Sequence, residues 1–229
     1  YTIKPCIYFP PFWNTYFNDT YQVKDQVKDT ISMFSDKVNI VFITSKIYIS
    51  SAPFSYIDKR SIYTKDERYN QTFDTIRSIR KKIPNNFIIL YDNSQFTDEE
   101  YHEIKQHVDC FININNDDIV NYLTNNSIHK LFGEISQTYK MMEYLHTYYK
   151  NMRIGNLFKI TGRYIIDDRF DYNNYDNDKT IFKRNLLVKN RSYYFTCFYK
   201  ICESELPFFY DTLIELYQDI QMNNYEYEE

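Results

Sequence analysis

Glycine is nearly missing from this chain: Gly133, Gly155 and Gly162 are the only three in 229 residues. That scarcity excludes a series of sites built on backbone that must come very close to a phosphate. There is no G-x-G-x-x-G, which argues against a dinucleotide-binding turn, and no G-x-x-x-x-G-K-[ST], which removes the P-loop enzymes. The glycine-rich loop of most S-adenosylmethionine methyltransferases is absent too, as is the G-x-S-x-G elbow of the α/β-hydrolases. A residue type this rare is expected where only a missing Cβ fits, at positive φ or at close backbone approach.

Other absences narrow the field further. Cys6, Cys110, Cys197 and Cys202 fit no zinc spacing and are too few for a disulfide scaffold, so they read as thiols in a reducing, cytoplasmic setting. His102, His107, His129 and His146 form no metal-binding pair of the HExxH kind. The net charge is −4 and no long basic run occurs, which argues against a nucleic-acid partner held by its phosphates. No apolar run approaches the ~20 residues of a membrane span. The chain opens on Tyr1, so further domains of a longer chain are among its expected partners.

What the chain does have is an alternating pattern. Residues 38–43 are a continuous β-branched and aromatic run, as in a strand buried on both faces, and they end in Thr44-Ser45. Thr64-Lys65-Asp66-Glu67 is a capping box opening a helix that stops before Pro84. Tyr69, Phe73, Ile76 and Ile79 give that helix an apolar face. Arg68, Gln71, Thr72 and Thr75 form a polar stripe, ordinarily the solvated side. Residues 87–91 make a second strand closing on Asp92-Asn93-Ser94, and Thr97 to Glu100 caps a second helix. A third strand is predicted over 110–114, a short helix over 117–123 and a long helix over 128–149. The long helix has a core stripe of Leu131, Ile135, Met142, Leu145 and Tyr149. Gly133 near its start costs roughly 1 kcal/mol against alanine, which implies close packing there. A fourth strand covers 157–160, two more strands (180–182 and 193–199) form a mixed extension, and a last helix spans 204–222. Residues 1–36 read as an aromatic, proline-rich arm with a helix over 25–34, and 223–229 as an acidic tail. The order implies an α/β protein, a mostly parallel Rossmann-type sheet with helices on both faces.

In such sheets ligands sit outside the carboxyl ends of the strands. Here those ends carry Thr44-Ser45, Asp92-Asn93-Ser94 and Thr161-Gly162-Arg163. Around Gly162 the chain also gathers Lys159, Arg163, Asp167 and Asp168, cations and carboxylates that suit a charged ligand such as a diphosphate, with or without a metal ion. The plain alternative is a β-turn with a solvated charged rim.

Several blocks go beyond this pattern: Ile43-Thr44-Ser45-Lys46-Ile47 with the run ERYNQTFDTIRSIR ending at Arg80; IILYDNS ending at Ser94; His129-Lys130-Leu131-Phe132-Gly133-Glu134; and FKITGRY ending at Tyr164. In this order they resemble nucleotide-diphospho-sugar glycosyltransferases of the GT-A type, a group found in polysaccharide loci and in large DNA viruses. The resemblance implies a GT-A-like domain over residues 37–222, with a nucleotide-binding part (37–168) and an acceptor-side part (169–222). It implies transfer of a sugar from a UDP- or GDP-sugar to a glycan or protein acceptor, in the cytoplasm or, for a viral protein, the host cytoplasm or virion. Thr44, Ser45, Arg68, Asp92, Asn93, Ser94 and Lys130 would then bind the nucleotide, and Arg163, Lys159 and Asp168 would serve catalysis. Asp167 and Asp168 would hold a divalent cation, Mn²⁺ or Mg²⁺. One departure stands out. The Asp-x-Asp metal motif usual at the end of the fourth strand is replaced by Lys159 and Arg163, cations that can stabilise a departing diphosphate themselves. Two alternatives stay open: an inactive module that keeps the fold for binding, and a sugar nucleotidyltransferase. The second should carry a glycine-rich loop after the first strand, and residues 44–51 lack glycine.

Overall fold

The computed structural model describes residues 37–149, 152–188 and 191–225. The chain divides into two compact units, residues 1–35 and 36–229, and every described residue belongs to the second. The expected arm with its helix over 25–34 lies outside the described residues, as does Cys6.

The chain forms β1 (Val38–Ser45), α1 (Lys65–Lys82), β2 (Asn86–Asp92), α2 (Asp98–His107), β3 (Cys110–Ile112) and α3 (Asp118–Asn125). There follow α4 (Lys130–Tyr148), β4 (Ile154–Thr161), β5 (Ile181–Val188), β6 (Arg191–Cys202) and α5 (Leu206–Tyr225). One six-stranded sheet has the order β3-β2-β1-β4-β6-β5. Its first four strands run parallel, while β6 lies antiparallel to both β4 and β5. This is a mostly parallel, Rossmann-like α/β sheet with a mixed extension.

Local chemistry explains the helix starts. Thr64 accepts the Glu67 N–H while the Glu67 carboxylate accepts the Thr64 N–H at 2.7 Å, and Thr97 and Glu100 repeat the exchange. Each box satisfies donors that a helix N-terminus otherwise leaves free. Period-two alternation then divides the sheet. Val41, Ile43, Ile88, Leu90, Phe158 and Ile160 turn to one face, where they pack with Phe73, Ile76 and Ile79 of α1 and Ile104 of α2. On the other face α4 packs against β1 and β2, and Phe87 meets Tyr149 edge-on at 5.2 Å.

Three expectations are corrected. The polar stripe of α1 is not solvated: Arg68, Thr72 and Thr75 are buried. Thr72 donates to the Gly162 carbonyl at 3.1 Å and the Ser78 hydroxyl accepts the Ile166 N–H at 3.1 Å, so the segment leaving β4 covers this face. Leu131 is not core but 47% exposed. With 3.6 residues per turn, the inward turn of Lys130, Gly133, Glu134 and Gln137 carries Leu131 outwards. The third strand stops at Ile112. Of the two settings expected for the scarce glycines, close approach is the one found, at Gly133 and Gly162, and no described glycine has positive φ; that backbone belongs to Asn85, φ 44°, in the turn after α1.

Candidate functional site

The helices change faces between β1 and β4, with α1 and α2 on one side and α4 on the other. A parallel sheet that reverses its winding in this way opens a crevice beyond the carboxyl ends of the two strands at the reversal. A cleft of about 640 Å³, open mouth included, lies there. The ends of β1 (Thr44, Ser45) and β4 (Thr161, Gly162) form part of its lining, joined by Lys130, Gly133, Glu134 and Gln137 from α4.

Gly162 matters here through space. Its N–H donates to the Thr44 carbonyl at 2.9 Å, extending the β1–β4 ladder, and a Cβ at this position would sit 3.2 Å from the Ser45 Cβ and 3.3 Å from Ile43 Cγ2. Gly133 plays the same part on α4, where a Cβ would come 3.2 Å from the Leu123 carbonyl oxygen. Gln137 donates to the Ser45 carbonyl at 2.7 Å, tying α4 to the end of β1. The Thr44 hydroxyl is buried and has no described hydrogen-bond partner.

The cleft is strongly cationic: Lys46, Arg60, Arg68, Lys130 and Arg163 all line it. Among the described residues none of the five forms an ion pair with a carboxylate. Arg68 is only 6% exposed. Its Nε donates to the Lys46 carbonyl at 2.8 Å, its Nη2 to the same oxygen, and its Nη1 to the Ser61 hydroxyl at 3.2 Å. Burial and then the Arg163 charge push Arg68 down to about 10, with Asp92 pulling the other way. Burial likewise lowers Lys46 and Arg60. Arg60 lies 4.2 Å over the Phe54 ring and donates to the Thr124 carbonyl at 3.2 Å, while its Nε has no described partner.

One carboxylate, Glu134, shares this lining, and it is already committed. The fully buried Lys159 pairs with its Oε1, which also accepts from Thr161 Oγ1 at 2.9 Å; its Oε2 accepts from Thr196 Oγ1 at 2.9 Å. Burial alone would raise Glu134, but Lys159 outweighs it and holds the carboxyl below the ordinary glutamate value. Burial lowers Lys159 in spite of Glu134.

The residues expected to form the site divide into four groups. Thr44, Ser45, Arg68, Lys130 and Arg163 come together in the cleft. Asp92, Asn93 and Ser94 are buried and spent on the protein itself. Asp92 Oδ2 accepts the Ile47 N–H at 2.9 Å and Oδ1 the Ser94 N–H at 2.8 Å, the Ser94 hydroxyl accepts the Tyr48 N–H at 2.9 Å, and Asn93 donates to Asn121 and Thr124. Lys159 sits behind Glu134 rather than in the lining. Asp167 and Asp168 stand apart from the cleft on the shoulder after β4, where Asp167 pairs with Arg169 at 2.5 Å and Asp168 with Lys82 at 2.7 Å. Sequence reasoning passed over Lys46, Arg60, Glu134 and Gln137. A signal for the last two exists: Lys130, Gly133, Glu134 and Gln137 fall at i, i+3, i+4 and i+7, one face of α4 that mixes a glycine with polar residues. No family model matches this chain, and no curated protein matches it.

Proposed function

We propose that the chain is a glycosyltransferase of the GT-A type that takes a nucleotide-diphospho-sugar donor into this cleft and passes the sugar to a glycan or protein acceptor. One observation carries the reading: five cations with no ion pair among the described residues line a crevice at the winding reversal of a parallel sheet. Cations that outnumber the carboxylates near them favour an anionic ligand, and guanidinium forks match phosphate oxygens. As the glycosidic bond to the diphosphate breaks, charge grows on the leaving oxygen, so Arg163 would hold it more strongly in the transition state than in the ground state. The experiment is to offer UDP- and GDP-sugars with simple acceptors and to follow nucleoside diphosphate release. Release supports the transferase, while release of pyrophosphate from a nucleoside triphosphate and a sugar phosphate would point instead to a nucleotidyltransferase.

A second reading has its own observation. Glu134 is the sole carboxylate in the lining among the described residues, and Lys159, Thr161 and Thr196 hold its oxygens, so it is not poised as a general base. A module that binds the donor without turning it over accounts for that. Donor binding with no product release would favour it.

A divalent cation held by Asp167 and Asp168, as the paired carboxylates suggest in sequence, does not fit this cleft. Both carboxylates lie outside the lining and already face Arg169 and Lys82.

A further inference from the structure

We propose that Arg68 and Arg163 form a paired clamp for a diphosphate, one that binds it without a divalent cation. The inference rests on the donor-site reading above and names how that site recognises its ligand.

The argument starts from the cost of a buried charge. A cation taken out of water is stable only when hydrogen bonds and counter-charge replace its hydration. Arg68 has hydrogen bonds but no ion pair among the described residues, and the nearby Asp92 charge offsets its burial only in part: of the five N–H groups of a guanidinium, three go to the Lys46 carbonyl and the Ser61 hydroxyl, which leaves two. Close by, Arg163 adds a second positive charge, near enough to disfavour protonation of Arg68. Arg163 is half-buried and follows the tight turn in which its N–H meets the Thr161 carbonyl at 2.7 Å. Two like charges held beside one cleft by separate elements, α1 and the exit of β4, repel until an anion lies between them. A diphosphate supplies oxygens on two phosphorus centres, one for each fork. The Thr44 hydroxyl and the Arg60 Nε–H are further unspent groups on residues of the same lining.

The charge that attracts a diphosphate repels a metal ion. Mn²⁺ and Mg²⁺ are held by oxygen ligands, carboxylates above all. Both oxygens of Glu134 are taken, and its charge is balanced by Lys159. The cations of the chain therefore take the place that a metal would occupy.

Calorimetric titration of the whole chain with inorganic pyrophosphate, UDP and GDP, each in EDTA and in Mn²⁺, tests this. The expected result is an affinity in EDTA at least as high as in Mn²⁺, falling as salt is raised. Arg163→Ala, which removes no side-chain bond seen in the fold, should weaken pyrophosphate by about 10- to 100-fold, the range for hydrogen bonds to a charged group. Arg163→Lys should recover part of that loss, because it restores charge but not the fork. Undiminished pyrophosphate affinity in folded Arg163→Ala would overturn the clamp. Binding of UDP and GDP only in Mn²⁺ would overturn the metal-free site and leave the transferase reading standing. Pyrophosphate binding with no gain from UDP or GDP would keep the clamp and count against a nucleotide donor. No binding in any arm would overturn both.

Discussion

On the shoulder beyond β4, Asp168 meets Lys82 at 2.7 Å with its side chain 88% exposed, whereas behind the cleft Glu134 meets a Lys159 that is wholly buried. Each place sets a carboxylate against an ammonium, and the residues leading into both belong to one stretch of sequence. Water decides what they do. On the shoulder, solvent screens the pair and holding two mobile side chains together offsets the gain, as is usual for surface pairs. Behind the cleft, Lys159 has no water to return to and Glu134 has little, so each depends on the other, Glu134 also on the hydroxyls of Thr161 and Thr196 and Lys159 on the Thr161 hydroxyl and the Thr196 carbonyl. The acid pair that stands out in the sequence is thus the weaker feature, and the carboxylate that sets the floor of the site is the one that sequence reasoning passed over.

The sharpest way to break the comparison is to remove one acid from each place. Glu134→Ala strands Lys159 in the interior and should cost about 3–5 kcal/mol of stability, the range for an uncompensated buried charge. Adding Lys159→Met should restore much of it. Asp168→Ala should leave the urea midpoint where it is. Equal effects at the two places would end the distinction.

Arg163 comes next. Among the described residues it has no ion pair, so neither Asp167, Asp168 nor Asp171 gives it a structural role. Under the proposed transferase activity, Arg163→Ala should lower kcat by roughly 10²–10³ with little change in melting temperature. A variant that melts early but turns over normally would remove Arg163 from the site.

Asp92 should show a smaller and different effect. Because its oxygens hold the backbones of Ile47 and Ser94, Asp92→Ala should lose about 1–3 kcal/mol of stability, the cost of leaving buried donors unpaired. If the variant keeps full stability and loses only donor affinity, the carboxylate faces the ligand after all.

The smallest effect is a pH dependence. Glu134 is held below the ordinary glutamate value of 4.5, so its contribution is complete above that pH and fades as pH falls through its lower folded value. Other lowered carboxylates, such as Glu100 and Asp167, add their own slope in this acid range. The stability of Glu134→Gln should therefore fall less steeply than wild type below pH 4.5, and identical slopes would show that Glu134 is not shifted.

Much of the sheet was legible because burial on two faces leaves a continuous apolar run, and the two capping boxes mark helix starts by local chemistry alone. The site was legible at those strand ends, as with Thr44, Ser45 and Arg163, and at two helix positions, Arg68 and Lys130. What escaped depends on which surface covers a helix face. The stripe of Arg68, Thr72 and Thr75 has the period of a solvated face, and nothing local says that the segment after β4 lies over it. Asp92 ends a strand at the binding edge, yet hydrogen-bond bookkeeping across the loops, not its place in sequence, spends both oxygens.

The loop after β1 carries one last consequence. Three successive residues are each fastened by a different side chain: the Lys46 carbonyl by Arg68, the Ile47 N–H by Asp92, and the Tyr48 N–H by Ser94. A loop fastened at consecutive peptide groups has already lost the freedom that an arriving ligand would otherwise have to remove. Pyrophosphate mixed rapidly with the protein should then bind in a single fast phase whose rate rises linearly with concentration. A second, concentration-independent phase would reveal that the fastenings must open first.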